Sequence, residues 1–180
     1  MRKFTKIEIR ILVAVLAVAA VFAAGCLLRL RILKANLIPV CERYFQLENS
    51  LVFPEEYLNS GIPEEAAAEK SEAARRIAEE IFASAVISDE IKKTDNKIEM
   101  QKNREYFAVE KTTSIKSTSV SPRGFDKAVL TVTALQSGLE YEFRSGIMKP
   151  APYGGEITYV FTFIKEHGAW LIYSCGYGTY

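Results

Sequence analysis

Residues 159–172 read Tyr159-Val160-Phe161-Thr162-Phe163-Ile164-Lys165-Glu166-His167-Gly168-Ala169-Trp170-Leu171-Ile172. Tyr159, Phe161 and Phe163, with Ile157 before them, fall on one side of an extended chain, and Val160 and Ile164 on the other. Alternation with a period of two marks a strand that buries one face. The charged, glycine-containing Glu166-His167-Gly168 turns the chain. Ala169, Leu171, Tyr173 and Cys175 then alternate back against Trp170 and Ile172. The stretch is a β-hairpin, and it sets the period by which the residues upstream are read.

Moving outward, Ala128, Leu130, Val132 and Ala134 alternate with Val129, Thr131 and Thr133. Leu139, Tyr141 and Phe143 alternate with Glu140, Glu142 and Arg144. Ser137-Gly138 between the two runs predicts a tight turn, hence a second hairpin with Glu140 and Glu142 on a solvated face. Ser145 to Gly155, with two prolines and three glycines, predicts a loop. The Thr/Ser-rich run from Tyr106 to Val120 predicts an edge strand.

Before Tyr106 the period is helical. Val40, Tyr44, Leu47 and Leu51 form one stripe, with Pro39 in the first turn and the preceding helix stopping at Ile38. A short helical turn is expected around Glu55 to Leu58. A second helix is expected from Pro63 to Ile87, burying Ala74, Ile77, Ala78, Ile81 and Ala85 with Phe82 at the edge. The polar residues from Ser88 to Glu105 predict a loop or a short solvated helix. Helices followed by antiparallel strands make an α+β fold, with helices packed on a curved sheet.

Ahead of all this lies Ile11–Leu28, an uncharged apolar run of about eighteen residues preceded by Arg2, Lys3, Lys6 and Arg10. As a helix it reaches about 27 Å, enough to span a hydrocarbon core. The reading divides the chain into a cytoplasmic basic flank (1–10), a transmembrane helix and stalk (11–38) and an extracytoplasmic domain (39–180). Three versions of this N-terminus stand: an uncleaved signal anchor, a secretory peptide cleaved after Val21-Phe22-Ala23, and a lipoprotein signal. The last rests on Ala23-Ala24-Gly25-Cys26, which is similar to a bacterial lipobox and would make Cys26 the lipidated residue. All three versions export the domain.

Composition narrows the classes. The chain of 180 residues is 49% hydrophobic and 25% charged, as expected of a globular domain, and its 23 basic and 22 acidic side chains nearly cancel. No basic tract lies outside the membrane flanks, so nucleic acid is not an expected partner. The cysteines Cys26, Cys41 and Cys175 match no zinc spacing, so no metal is expected. Cys41 and Cys175 read either as two buried thiols or as a disulfide.

The closing hairpin resembles the end of nuclear-transport-factor-2-like domains, in which a charged, glycine-containing turn separates an aromatic strand from one opening with Trp. Asp126-Lys127-Ala128-Val129-Leu130-Thr131-Val132 resembles an earlier strand of that fold. A membrane segment followed by one such domain is similar in layout to bacterial envelope proteins. These include mammalian-cell-entry-associated membrane proteins and scaffold subunits of type IV secretion machines. The resemblance implies a cone of sheet and helices, with Tyr141, Tyr159, Phe161, Phe163 and Trp170 as ligand-pocket candidates. It implies a partner-binding, non-catalytic envelope protein; its enzymatic relatives imply the rival, a tethered isomerase- or dehydratase-like activity or a small apolar ligand in the cone.

Acid/base chemistry of the rival kind needs an inward carboxylate opposite a tyrosine hydroxyl, such as that of Tyr141 or Tyr159. The single histidine, His167, falls in the predicted turn, and Asp126 and Glu156 read as turn and strand-edge residues. No glycine loop for phosphates and no cofactor motif occurs. Tyr177 and Tyr180 extend the last strand as an aromatic edge suited to a protein partner or to homo-oligomerisation. The expected partners are thus the membrane, crossed once, and another protein.

Overall fold

The computed structural model describes residues 6–144 and 147–178. The elements are α1 (Lys6–Ser50), α2 (Tyr57–Ser60), α3 (Glu64–Ile81), α4 (Ile87–Lys102), β1 (Tyr106–Pro122), β2 (Lys127–Arg144), β3 (Ile147–Glu166) and β4 (Ala169–Gly178). The four strands form one antiparallel sheet in the order β1-β2-β3-β4, and the helices cover one of its faces. This is the expected α+β arrangement: a long apolar N-terminal helix, then helices on a curved sheet.

Helix α1 does not stop at Ile38 but runs unbroken through Pro39 for 45 residues. Proline removes the hydrogen bond that residue 39 would give to Ala35. Ala35 and Pro39 both lie on the exposed side, where water can serve the orphaned carbonyl. Leu33, Leu37, Cys41, Phe45 and Leu47 on the other side are buried in the core, and their packing outweighs the lost bond. The apolar stretch before them is exposed throughout, including Val18, Val21 and Phe22. The described residues of the chain do not bury residues 11–28, and the helix is long and apolar enough to cross a membrane.

The second helix ends sooner than its pattern suggests. At Phe82 the backbone turns extended (φ −98°, ψ 145°). Phe82 bridges to Ile172 of β4, and the Ala83 N–H donates to the Ile172 carbonyl at 2.9 Å. That edge pairing pulls the chain out of the helix and leaves Ala85 exposed. The polar stretch that follows is a full helix, α4, burying Thr94, Ile98 and Gln101. The Gln101 side chain donates to the Leu51 carbonyl and accepts from the Ala108 N–H, each at 2.9 Å, tying the end of α1 to the start of β1.

The strands correct two more expectations. Ser137-Gly138 is no turn: β2 is continuous and pairs with β3 in one register from Lys127↔Ile164 to Arg144↔Ile147. Gly138 is needed because Tyr153 of β3 and the Glu110 carbonyl of β1 close over it, and a Cβ would sit inside van der Waals contact with both. Ile147–Gly155 is accordingly strand rather than loop; Ser145 lies outside the described residues. Pro150 and Pro152 are tolerated because β4 pairs with β3 only from Thr158 onward, leaving one side of this stretch open. The closing hairpin forms, with His167 (φ 50°) and Gly168 (φ 89°) making the two-residue turn. A bulge at the Thr162/Phe163 step, however, pairs Ile172 with Phe163 and Cys175 with Phe161, so Ile172 and Cys175 share a face instead of alternating.

Aromatic rings weld the sheet to α1. Tyr44 lies edge-on to Phe161 at 5.2 Å, and Phe45 edge-on to Tyr159 at 5.1 Å. Such pairs add to the area they bury. The sheet and the upper half of α1 are one core.

Gly138→Ala should lower stability by about 1–3 kcal/mol through overpacking, read as a drop in melting temperature of the detergent-solubilised protein. Gly154→Ala is the control, since its Cβ would meet only ordinary contacts at 3.8 Å; equal effects at both sites would refute the close-approach account.

Candidate functional site

Continuity of β2 decides what faces the helices. Ala128, Leu130, Val132, Ala134 and Gln136 are buried on that face, and an unbroken period of two carries Gly138 and Glu140 onto it as well. Glu140, expected on the wet side, therefore looks into the molecule. It lines a cavity of about 390 Å³ between the C-terminal half of α1, α4 and the sheet. Tyr44 and Glu48 come from α1, Lys97 from α4, Tyr106 and Lys111 from β1, Gln136 and Glu140 from β2, Tyr159 from β3 and Tyr177 from β4.

Glu48 is the electrostatic centre. Its two oxygens accept from the Lys97 ammonium at 2.6 Å and the Lys111 ammonium at 2.9 Å. Burial pushes its pKa up, but the two cations outweigh burial and hold it below the usual carboxylate value. Glu48 and Lys111 are largely sheltered, with side chains 15% and 19% exposed, whereas Lys97 reaches solvent at 40%. An ionised, doubly paired carboxylate is a weak general base.

The tyrosines surround this charge in their neutral form. Burial, then the nearby Glu48 carboxylate, pushes Tyr159 up to about 12. Burial and Glu140 push Tyr106 and Tyr153 up to about 12. Burial pushes Tyr44 further still. The Tyr153 hydroxyl is buried, pressed over Gly138 and close to Glu140. The cavity thus offers hydroxyls, an amide and internally balanced charge: a hydrogen-bonding environment rather than an apolar one.

Of the residues singled out from sequence, Tyr159 and Tyr177 line this cavity. Phe161 and Phe163 lie wholly within the core behind it. Tyr141 pairs with Phe107 on the opposite parity to Glu140, and its hydroxyl donates to Glu55. Trp170 lies in a separate hollow beside α1. Tyr177 is 76% exposed on the β4 edge, and Tyr180 falls outside the described residues. Cys26 is exposed on α1. Cys41 and Cys175 are unbridged thiols; burial pushes Cys175 up to about 12 and Cys41 higher. Glu156 forms an exposed ion pair with Lys116.

Glu48, Lys97 and Lys111 were not singled out from sequence, and Glu140 was expected on the solvated face. One signal existed: Glu48 follows Tyr44 by four and precedes Leu51 by three, a charge set on an apolar stripe. Lys111 and Glu140 could be placed only with the strand register in hand.

No protein-family model matches the chain, and no curated protein matches it in sequence. Among solved structures, the intermembrane space region of the chloroplast protein ARC6 is similar at 14% identity and a TM-score of 0.41, over 59% of this chain and 78% of that one. The association domain of C. elegans CaMKII gives 16% and 0.33, over 49% and 60%. A variant of Rd1NTF2_05 carrying five substitutions gives 14% and 0.27, over 51% and 61%. This chain spans about three fifths of the length of the latter two.

Two stability predictions follow from the charges and hydroxyls. Glu48→Gln leaves two ammonium groups facing each other and should cost roughly 1–3 kcal/mol, discounted for the exposure of Lys97, as measured by denaturant unfolding. The folded-state pKa of Tyr106, Tyr153 and Tyr159 lies above their ordinary 10, at about 12. The native state then holds more protons between those values, so stability is full below pH 10 and falls as pH rises toward 12. Tyrosinate absorbance rising together with loss of ellipticity in that window checks it; tyrosinate forming first, with the fold intact, would contradict it.

Proposed function

We propose that this chain is a single-pass, N-in protein of a bacterial cytoplasmic membrane whose extracytoplasmic domain is nuclear-transport-factor-2-like and non-catalytic, and binds or positions a protein partner. The division is a basic flank at 1–10, span and stalk at 11–38 and the domain from 39 onward. The supporting observation is α1: its first half is exposed and apolar, and its second half is core, with no linker between. A domain so mounted is held at a fixed height above its bilayer, as suits a positioning role rather than a roaming one.

The partner surface is the sheet edge past β4. There the open side of β3 before Thr158 and the exposed Tyr177 offer backbone groups and an aromatic ring for strand addition. A second reading, a small polar ligand among Glu48, Lys97 and the tyrosines, is favoured by the cavity itself. For the isomerase- or dehydratase-like rival, Glu48 is committed to Lys97 and Lys111, which leaves Glu140, beside Tyr106 and Tyr153, as the carboxylate such an enzyme would use. An apolar ligand is disfavoured by the same charges.

Cross-linking in native membranes followed by purification should recover the chain with a second protein or a second copy, and Tyr177→Lys should reduce the adduct several-fold. Recovery of the chain alone and monomeric would remove the assembly reading. Intact-mass measurement of the membrane-extracted protein separates an uncleaved anchor from lipidation at Cys26 or cleavage before Ala24.

A further inference from the structure

A second hollow, of about 360 Å³, lies beside α1 at the other end of the domain from the cavity's charged pair. One wall is α1 at Gly25, Leu28 and Arg29; the other is the β1–β2 turn at Phe125 with Lys165 and Trp170 from the closing hairpin. Two cation–aromatic pairs line it. The Arg29 guanidinium lies 4.9 Å from the Phe125 ring centre, and the Lys165 ammonium 6.0 Å from that of Trp170. Arg29 also donates to the Gly124 carbonyl.

Three features separate this hollow from ordinary surface. Leu28 closes the apolar run and Gly25 lies within it, so the hollow begins where the hydrocarbon core would end. Phe125, 88% exposed at the tip of its turn, buries almost nothing against the protein. Among the described residues, no salt bridge engages Arg29 or Lys165. The carboxylates at hand are Asp126 in the same turn and Glu166, which accepts from the Ser84 N–H and hydroxyl. Aromatic rings settle at headgroup depth, and guanidinium and ammonium groups bind phosphate there.

We propose that this hollow is a headgroup site for an anionic phospholipid of the leaflet next to the domain, with the phosphate between Arg29 and Lys165 and the rings of Phe125 and Trp170 against the upper acyl carbons. The site rests on α1 spanning the membrane. It adds a second, lipid-specific point of attachment some distance from the helix axis, which resists rotation of the domain over the bilayer.

Trp170 is the only tryptophan in the chain and reports on the site directly. The full chain is reconstituted in phosphatidylcholine vesicles containing a minor fraction of brominated lipid, either phosphatidylglycerol or phosphatidylcholine. Brominated phosphatidylglycerol should quench Trp170 several-fold more strongly than brominated phosphatidylcholine at equal fraction. Removing one basic contact should weaken the lipid preference roughly five-fold, so Arg29→Gln with Lys165→Gln should abolish the difference. Arg31→Gln, as close to the bilayer but outside the hollow, should keep it. Equal quenching by the two lipids in the unmodified chain, or the same loss from Arg31→Gln, overturns the site. Each sample is also washed in alkaline carbonate: release of the unmodified chain from the vesicles overturns the anchor and the site together, whereas retention without lipid preference overturns the site alone.

Discussion

The continuity of α1 is the constraint on which the other elements depend. A hydrogen-bonded helix carries its side chains at fixed angles along its length, so the face that meets the sheet is set by the same rotation that orients the apolar half. Leu33, Leu37, Cys41 and Phe45, at four-residue steps, lie against Phe161, Tyr159 and their neighbours. One turn beyond Tyr44 the same side of the helix carries Glu48, which delivers a carboxylate to the lysines of α4 and β1. Pro39 survives in the middle because only its solvent side loses a hydrogen bond.

The cavity at the upper end shows how a charge is kept in a sheltered place without becoming reactive. Glu48 alone would be costly to bury and would take up a proton. With an ammonium on each oxygen it stays ionised, and the tyrosines around it stay protonated. Near neutral pH Glu48 is then no poised base and the tyrosines are no poised acids; Glu140 is the other carboxylate that lines the cavity.

Most of the architecture was legible in the sequence, and the failures have local physical causes. The closing hairpin was readable because its aromatic alternation and its His167-Gly168 turn agree with each other. Ser137-Gly138 has the composition of a turn, but the glycine is there for a reason found 15 residues later, at Tyr153. That one misreading reversed the parity of residues 139–143 and sent Glu140 to the wrong side. It also left the Pro-containing start of β3 as a loop. Ala85 continued a helical pattern that the pairing of Phe82 with Ile172 cut short, a contact between segments 90 residues apart. The cavity was legible only in part: Tyr159 and Tyr177 stand out by type, whereas Lys111 and Glu140 become inward residues only through pairing.

The direct joining of span and core has a mechanical consequence. Apolar spans respond to a bilayer thinner than their length by tilting. A domain on a flexible tether would not register that tilt. Here the sheet is packed on the same rigid rod, so inclining the span swings the β4 edge toward or away from the membrane plane by the same angle. In the proposed single-pass arrangement the exposed edge at Tyr177 is then a pointer whose height follows bilayer thickness.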